Sequence, residues 1–188
     1  MTRQWSALGF LSLLIASPIW AHTGSISGGL GAGVAHPFHG MDHLLAALVV
    51  GMLAATQGRQ TRWGVPAAFL AGMAAGVVFG LGAGAPGWLE WAIALSVTGL
   101  GVVIWQSGRI NAAGLFAVAA VAGGVHGLAH GLEAGGAAQA PALYLGGLLI
   151  ATAILHAIGM GTGWSLRDRV RHAGLPVAAA GMTLLLIS

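Results

Sequence analysis

Ionisable side chains cluster directly before an apolar stretch early in the chain. The segment HPFHGMDH, residues 36–43, precedes the run LLAALVVGMLAA and supplies the side chains of His36, His39, Asp42 and His43. On one helix, at about 100° per residue, these four side chains share roughly a third of the surface. Because ionisable groups are costly inside a membrane, such a face in an apolar helix indicates a bound ligand or a buried partner.

A second cluster of similar composition lies downstream, in the segment HGLAHGLE. His126, His130 and Glu133 stand at positions i, i+4 and i+7, which places them on one face of a helix. Glu90, flanked by two tryptophans, adds a carboxylate at the start of another apolar segment. We expect three helices to bring these groups to the same face of the membrane.

The residue types in these clusters indicate the chemistry. Neutral imidazoles with one or two carboxylates suit borderline divalent metals such as nickel, zinc, cobalt or copper, whereas magnesium and calcium favour mostly oxygen. The chain has no cysteine, which excludes thiolate ligands and thiolate nucleophiles. The predicted ligands of a transition-metal site are His36, His39, Asp42, His43, Glu90, His126, His130 and Glu133.

A structural role is the alternative for each of these residues. A hydrogen-bond network between helices accounts for one buried polar group but poorly for so many that converge. Glu90 beside interfacial tryptophans also fits a solvated acid. His39 and His126 also fit positions at the rim of a metal site or outside its ligand shell. His172, among loop arginines, is expected to be solvated.

Two further histidines lie away from these clusters. His156 is deep in another apolar segment with Met160 one turn further, so the pair is a candidate second metal station nearer the cytoplasm, with packing as the alternative. His22 follows a segment typical of a secretory signal, residues 1–21. Cleavage after Ala21 would leave His22 as an N-terminal residue able to capture a metal, with a mobile end ahead of a glycine-rich segment as the alternative.

The composition favours an integral membrane protein. Of the 188 residues, 57% are hydrophobic and only 6% are charged, which excludes an ordinary soluble domain. The seven arginines are scattered and form no basic face for nucleic acid. We predict an all-α polytopic protein in which a cleaved signal peptide, 1–21, precedes one six-helix domain, 22–188. Its helices are expected at about 36–56, 65–85, 88–106, 112–132, 141–163 and 174–188.

The arginines also predict the orientation of the chain. Short cytoplasmic loops are rich in basic residues, and all six arginines after the signal segment follow the first, third or fifth predicted helix. Both mature termini and both histidine clusters should therefore face the periplasm. Glycines at a spacing of four in the second and fourth helices predict close helix packing; they are Gly72, Gly76, Gly80 and Gly84, and Gly123, Gly127 and Gly131.

The two motifs together resemble a known family. The pattern His-Pro-x-x-Gly-x-Asp-His at residues 36–43, with His130 and Glu133 downstream, is similar to that of the HupE/UreJ family of bacterial nickel permeases, which are associated with hydrogenase and urease maturation. The resemblance spans the chain and implies six membrane helices, nickel as the transported ion and no enzymatic activity. Wider nickel/cobalt transporters are more distantly similar, because they place four residues, rather than five, between a histidine and Asp-His.

The expected function is therefore secondary-type transport of Ni²⁺ from periplasm to cytoplasm across the bacterial inner membrane. The ion and the lipid bilayer are the expected partners, and no prosthetic group is expected. The chain contains no G-x-x-x-x-G-K-[ST] motif for a nucleotide. Two alternatives stay open, namely a metal-dependent hydrolase with Asp42 or Glu133 as general base and a haem protein with axial histidines from two helices.

Overall fold

The described part of the chain is almost entirely helical. The computed structural model describes residues 29–137 and 140–187, which contain no strand; the signal segment and His22 lie outside these ranges. Two 3₁₀ segments, His36–Phe38 and Arg167–Ala173, precede α2 and α7. The α-helices are α1 (Leu30–Ala35), α2 (Met41–Ala55), α3 (Arg59–Gly80), α4 (Leu89–Trp105), α5 (Ala112–Ala137), α6 (Pro141–Leu166) and α7 (Gly174–Ile187).

Several of these helices are able to cross a bilayer. Four described stretches are long and apolar enough, namely Arg59–Gly80, Ala112–Ala134, Pro141–Leu166 and Asp168–Ile187. The pair formed by α1 and α2 is a fifth candidate if it counts as one bent span, while α4 is apolar but has only 17 residues. The prediction of an all-α protein with several membrane-spanning helices is confirmed.

The first predicted helix, 36–56, is wrong as a single regular helix. The segments Leu30–Phe38 and Met41–Ala55 meet at an angle of 86°. Only the second segment continues as the predicted α-helix. The four ionisable residues of HPFHGMDH therefore do not share one helical face. Any clustering of their side chains has to come from the packing of the broken segment against other helices.

Local sequence explains why the helix breaks at this point. Pro37 lies in the first turn of the 3₁₀ segment, where its missing N–H needs no helical partner. Gly40 then has an extended backbone, with φ −112° and ψ 119°, and precedes α2 as its N-cap. The α-helix that was expected to begin at about residue 36 thus begins at Met41.

Glycines allow α3 and α5 to pack with their backbones in contact. A Cβ atom at Gly72 or Gly76 would overlap a backbone oxygen of α5, and one at Gly123 or Gly127 would overlap a backbone oxygen of α3. The two predicted glycine stripes therefore face each other. Gly84 differs, because it lies beyond the end of α3 with open space around its Cβ position.

Helix α6 holds both halves of the broken segment. Gly147 of α6 packs against the backbone of α1, and Gly159 packs against that of α2. Gly33 of α1 and Gly51 of α2 make the reciprocal contacts with α6. Because α6 contacts both sides of the break, it fixes the 3₁₀ segment relative to the rest of the bundle.

The apolar core lies toward the end of the bundle that carries the arginines. It includes the fully buried Leu53, Leu100 and Ile104 and the nearly buried Phe69. The ionisable clusters lie at the opposite end, where α2 begins and α5 ends. The bundle is therefore apolar in its arginine-side half and polar at the start of α2.

Candidate metal centre

Three ligand-type side chains meet where the 3₁₀ segment approaches the end of α5. His36 Nε2 lies 3.3 Å from Glu133 Oε2, and His130 Nδ1 lies 3.3 Å from the same oxygen. One ligand atom from each of the three residues lies within 4.8 Å of the other two. We call this group of His36, His130 and Glu133 the outer site.

The outer site takes its ligands from two different kinds of local structure. His130 and Glu133 are three residues apart on the uninterrupted helix α5, so they share a face as their spacing predicts. His36 comes from the 3₁₀ segment, which the contact between α1 and α6 holds in place. His130 is 1% exposed, whereas the side chains of His36 and Glu133 are 17% and 19% exposed. The site is thus buried on one side and accessible on the other.

Asp42 and His43 form a pair at the start of α2. Asp42 Oδ1 accepts hydrogen bonds from the backbone N–H and from the Nδ1–H of His43, both at 2.8 Å. A Cβ atom at Gly40 would lie 2.8 Å from Asp42 Oδ1 and 2.9 Å from His43 Nδ1. Glycine therefore leaves the space that this pair occupies. Asp42 holds the ring of His43 in one orientation. Asp42 itself does not belong to the outer site.

The ring of His43 connects the outer site to a deeper histidine. Its centroid is 4.4 Å from that of His130, 4.7 Å from that of His126 and 6.0 Å from that of His36. His126 is 1% exposed, and its Nε2 lies 3.0 Å from Ser96 Oγ on α4. Six of the sequence-predicted residues therefore lie in one continuous cluster; they are His36, Asp42, His43, His126, His130 and Glu133.

Sequence reasoning missed two polar contributors from other helices. Tyr144, fully buried on α6, points its hydroxyl toward Glu133 Oε2 in a long contact of 3.5 Å. Ser96 contacts His126, as described above. Tyr144 is the single tyrosine of the chain and Ser96 is a lone serine inside an apolar helix. Isolated hydrogen-bonding groups in apolar helices are the signal that would have identified both.

The remaining predicted site residues do not belong to the outer site. Glu90 on α4 and His39 after the 3₁₀ segment are exposed, and neither belongs to the three-residue group. His156 is 2% exposed inside α6, where its Nδ1 lies 2.7 Å from the carbonyl oxygen of Ala47. His172 is exposed among the arginines, as expected. His22 lies outside the described residues.

The donor set of the outer site suits a borderline divalent cation. Two imidazoles and one carboxylate match the preference of nickel, cobalt, zinc or copper. Glu133 supplies negative charge, and its partial exposure gives a cation access from outside the bundle. A molecule of this kind is a multi-pass helical membrane protein with a cluster of metal-ligand-type side chains among its helices.

Comparison with known proteins identifies the family. The family model described as "HupE / UreJ protein" matches residues 10–185. "Protein HupE" from Rhizobium leguminosarum bv. viciae is 39% identical over 180 residues, which cover 93% of each chain. No solved structure matches the chain. The protein belongs to the HupE/UreJ family, and the family predicted from the two sequence motifs is confirmed.

Proposed function

We propose that this protein is a secondary-type nickel permease that carries Ni²⁺ from the periplasm to the cytoplasm for hydrogenase or urease maturation. The observation that carries the proposal is the convergence of His36, His130 and Glu133 within 4.8 Å. Membership of the HupE/UreJ family supports nickel among the metals that this donor set accepts.

The proposal assigns the outer site to the periplasmic mouth. The arginines in the first turn of α3, between α4 and α5 and after α6 all lie at the other end of the bundle. The positive-inside rule assigns that end to the cytoplasm. In this arrangement α1 with α2 counts as one broken span and α4 as another, which gives six spans in the inner membrane after a cleaved signal peptide.

In this function the outer site captures the ion from water. Hydrated Ni²⁺ exchanges water for the imidazoles of His36 and His130, and Glu133 compensates part of its charge. His43, oriented by Asp42, offers the next imidazole inward. Binding must be weak enough for release, and the membrane potential favours inward movement by about 2.3 kcal/mol per charge per 100 mV.

Uptake by purified protein in liposomes tests the proposal. Proteoliposomes with an inside-negative potential should accumulate radioactive nickel faster than protein-free liposomes, and His130→Ala should abolish the difference. His172→Ala is the matched control, because His172 is an exposed histidine far from the site.

The same assay extends to other divalent metals and to proton coupling. Parallel measurements with cobalt, zinc and copper give selectivity, and an imposed pH gradient reports proton coupling. Nickel accumulation no faster than in protein-free liposomes, with correctly inserted wild-type protein, would contradict the permease.

A further inference from the structure

Two almost fully buried histidines lie deeper in the bundle than the outer site. His126 on α5 is 1% exposed and His156 on α6 is 2% exposed. Ring nitrogens in an apolar interior are costly unless they have partners. Yet each ring has one buried nitrogen without a hydrogen-bond partner in the described protein, namely His126 Nδ1 and His156 Nε2.

The partner of the other nitrogen fixes the proton on His156. Its Nδ1 lies 2.7 Å from the carbonyl oxygen of Ala47, which only accepts hydrogen bonds. Nδ1 must therefore carry the hydrogen. In the neutral ring Nε2 then has a free lone pair, as a metal ligand requires.

A hydrogen-bond acceptor also fixes the proton on His126. The hydroxyl of Ser96 donates to the carbonyl oxygen of Ile93 at 2.7 Å, so its oxygen accepts from His126 Nε2–H at 3.0 Å. Nδ1 of His126 is left with a lone pair. His43 repeats the pattern, since Asp42 accepts from its Nδ1–H and its buried Nε2 has no partner in the described protein.

Three rings thus share one arrangement, in which an acceptor holds one nitrogen and the other carries an unpaired lone pair. Metal-binding histidines are held in this way, by an acceptor on the nitrogen that does not bind the metal. A histidine with a purely structural role needs the hydrogen bond to the acceptor. An unpaired lone pair on its other ring nitrogen adds nothing to the stability of the fold. The repetition therefore points to a ligand that moves along these rings.

The geometry orders the three rings inward. His43 and His126 line a small cavity of about 10 Å³, close to the size needed for one water molecule. Phe69 also lines this cavity, and its ring centroid is 6.1 Å from that of His126 and 5.2 Å from that of His156. On α6, His156 is twelve residues beyond Tyr144, which contacts the outer site, or about 18 Å along the helix.

His156 also lies at the tightest part of the contact between α2 and α6. A Cβ atom at Gly51 would overlap the carbonyl oxygen of His156, and one at Gly159 would overlap that of Leu48. Beyond this contact, a cavity of about 600 Å³ lies at the arginine-bearing end, lined in part by Thr56 and Asp168. His156 therefore lies between the outer site and a cavity on the opposite side.

We propose that His156 is the ligand of an inner metal station, separate from the outer site, which receives a divalent transition metal after His126. The inner station holds the ion at the α2–α6 contact until these helices separate toward the arginine-side cavity. This inference rests on the proposed transport function and extends it to a position that the family motifs at 36–43 and 126–133 do not include.

A cysteine placed at position 156 gives a direct readout, because the natural chain contains no cysteine. We expect His156→Cys protein titrated with Co²⁺ to develop saturable sulfur-to-cobalt charge-transfer absorption. His156→Ser, of similar size but without a soft ligand, should lack this absorption. Co²⁺ binding at the outer site should change less than about twofold in either variant, which also verifies folding.

Transport supplies the second arm of the experiment. Nickel uptake should fall at least about tenfold in His156→Ser and in His156→Asn, and should partly recover in His156→Cys. His156→Asn retains an N–H donor for the Ala47 carbonyl, so it separates a structural role from a ligand role. Normal uptake by His156→Asn, or no charge-transfer absorption in His156→Cys protein whose outer site binds cobalt, would overturn the inner station. Absence of uptake by the wild-type protein would instead overturn the proposed function, while the absorption still tests the inner station.

Discussion

The two ionisable clusters have similar composition but opposite local structure. On α5, the segment from His126 to Glu133 is an uninterrupted helix. Between His36 and His43, the chain passes from a 3₁₀ segment through an extended glycine into a new helix, with a bend of 86°. Both segments nevertheless supply side chains to one cluster.

This difference separates two ways of placing ligands in a membrane bundle. A continuous helix places ligands along one face, as α5 does with His126 and His130. A broken helix turns neighbouring residues in different directions, so His36 contacts Glu133 while Asp42 contacts His43. Broken helices with irregular backbone are tolerated at membrane depth where they line a site.

Removing the shared carboxylate should have the largest effect. Glu133 Oε2 is the atom within 3.3 Å of both His36 and His130. Glu133→Gln should therefore weaken nickel binding by more than about 100-fold, beyond the range typical of residues that only orient a ligand. Equilibrium dialysis of purified protein with nickel measures this change. His172→Ala should bind like the wild type, and tight binding by Glu133→Gln would remove the carboxylate from the site.

Asp42→Asn should have a smaller effect, because Asp42 acts through His43. The amide keeps the shape of the carboxylate but loses the charge that favours His43 Nδ1–H as donor. We expect nickel binding to weaken by about 10- to 100-fold and nickel uptake to fall with it. If Asp42→Asn matches Glu133→Gln in both measurements, Asp42 is a direct ligand and the distinction between the two carboxylates is wrong.

Acidification should weaken metal binding by the histidines of both segments, HPFHGMDH and HGLAHGLE. Protons compete with the metal for neutral imidazole, whose ordinary pKa is about 6.5, so affinity falls as the pH falls. For one limiting histidine we expect about a tenfold loss of nickel affinity between pH 7.5 and 5.5. Isothermal titration calorimetry across this range measures it, and an affinity independent of pH would argue against histidine ligands.

The smallest effect concerns the backbone at the break. A methyl group at Gly40 would crowd the Asp42–His43 pair, whereas one at Gly31, on α1, has open space. Moving one side chain of this pair away from its preferred rotamer costs about 0.5–1.5 kcal/mol. Gly40→Ala should thus weaken nickel binding by roughly two- to tenfold, and Gly31→Ala should leave it unchanged. Equal nickel binding by Gly40→Ala and Gly31→Ala would show that Asp42 and His43 adjust to the added methyl group.

Sequence alone predicted the parts of the molecule that follow regular periodicity. The all-α class follows from apolar stretches long enough to cross a bilayer. The glycine stripes of α3 and α5 and the shared face of His130 and Glu133 follow from a spacing of three or four residues. The break at Gly40 does not, because Pro37 is equally compatible with the first turn of a long helix and with a short 3₁₀ segment. Contacts between distant helices choose between these two structures.

The contacts of the two contributors outside the motifs could not be predicted for the same reason. Tyr144 reaches Glu133, and Ser96 reaches His126, only because α6 and α4 pack beside α5 in a particular register. The spacing of residues within one helix does not determine the register between helices. The tautomers of His126 and His156, which suggest the inner station, likewise depend on acceptors from neighbouring helices, Ser96 on α4 and Ala47 on α2.

In the proposed permease, His36 and His130 bind the same nickel ion with Glu133, although one comes from a broken helix and the other from a continuous one. X-ray absorption spectroscopy of purified protein loaded with one equivalent of nickel tests this directly. We expect at least two imidazole ligands with additional oxygen in the wild type, and one fewer imidazole in His36→Ala. A nickel shell of oxygen alone, or an unchanged imidazole count in His36→Ala, would contradict it.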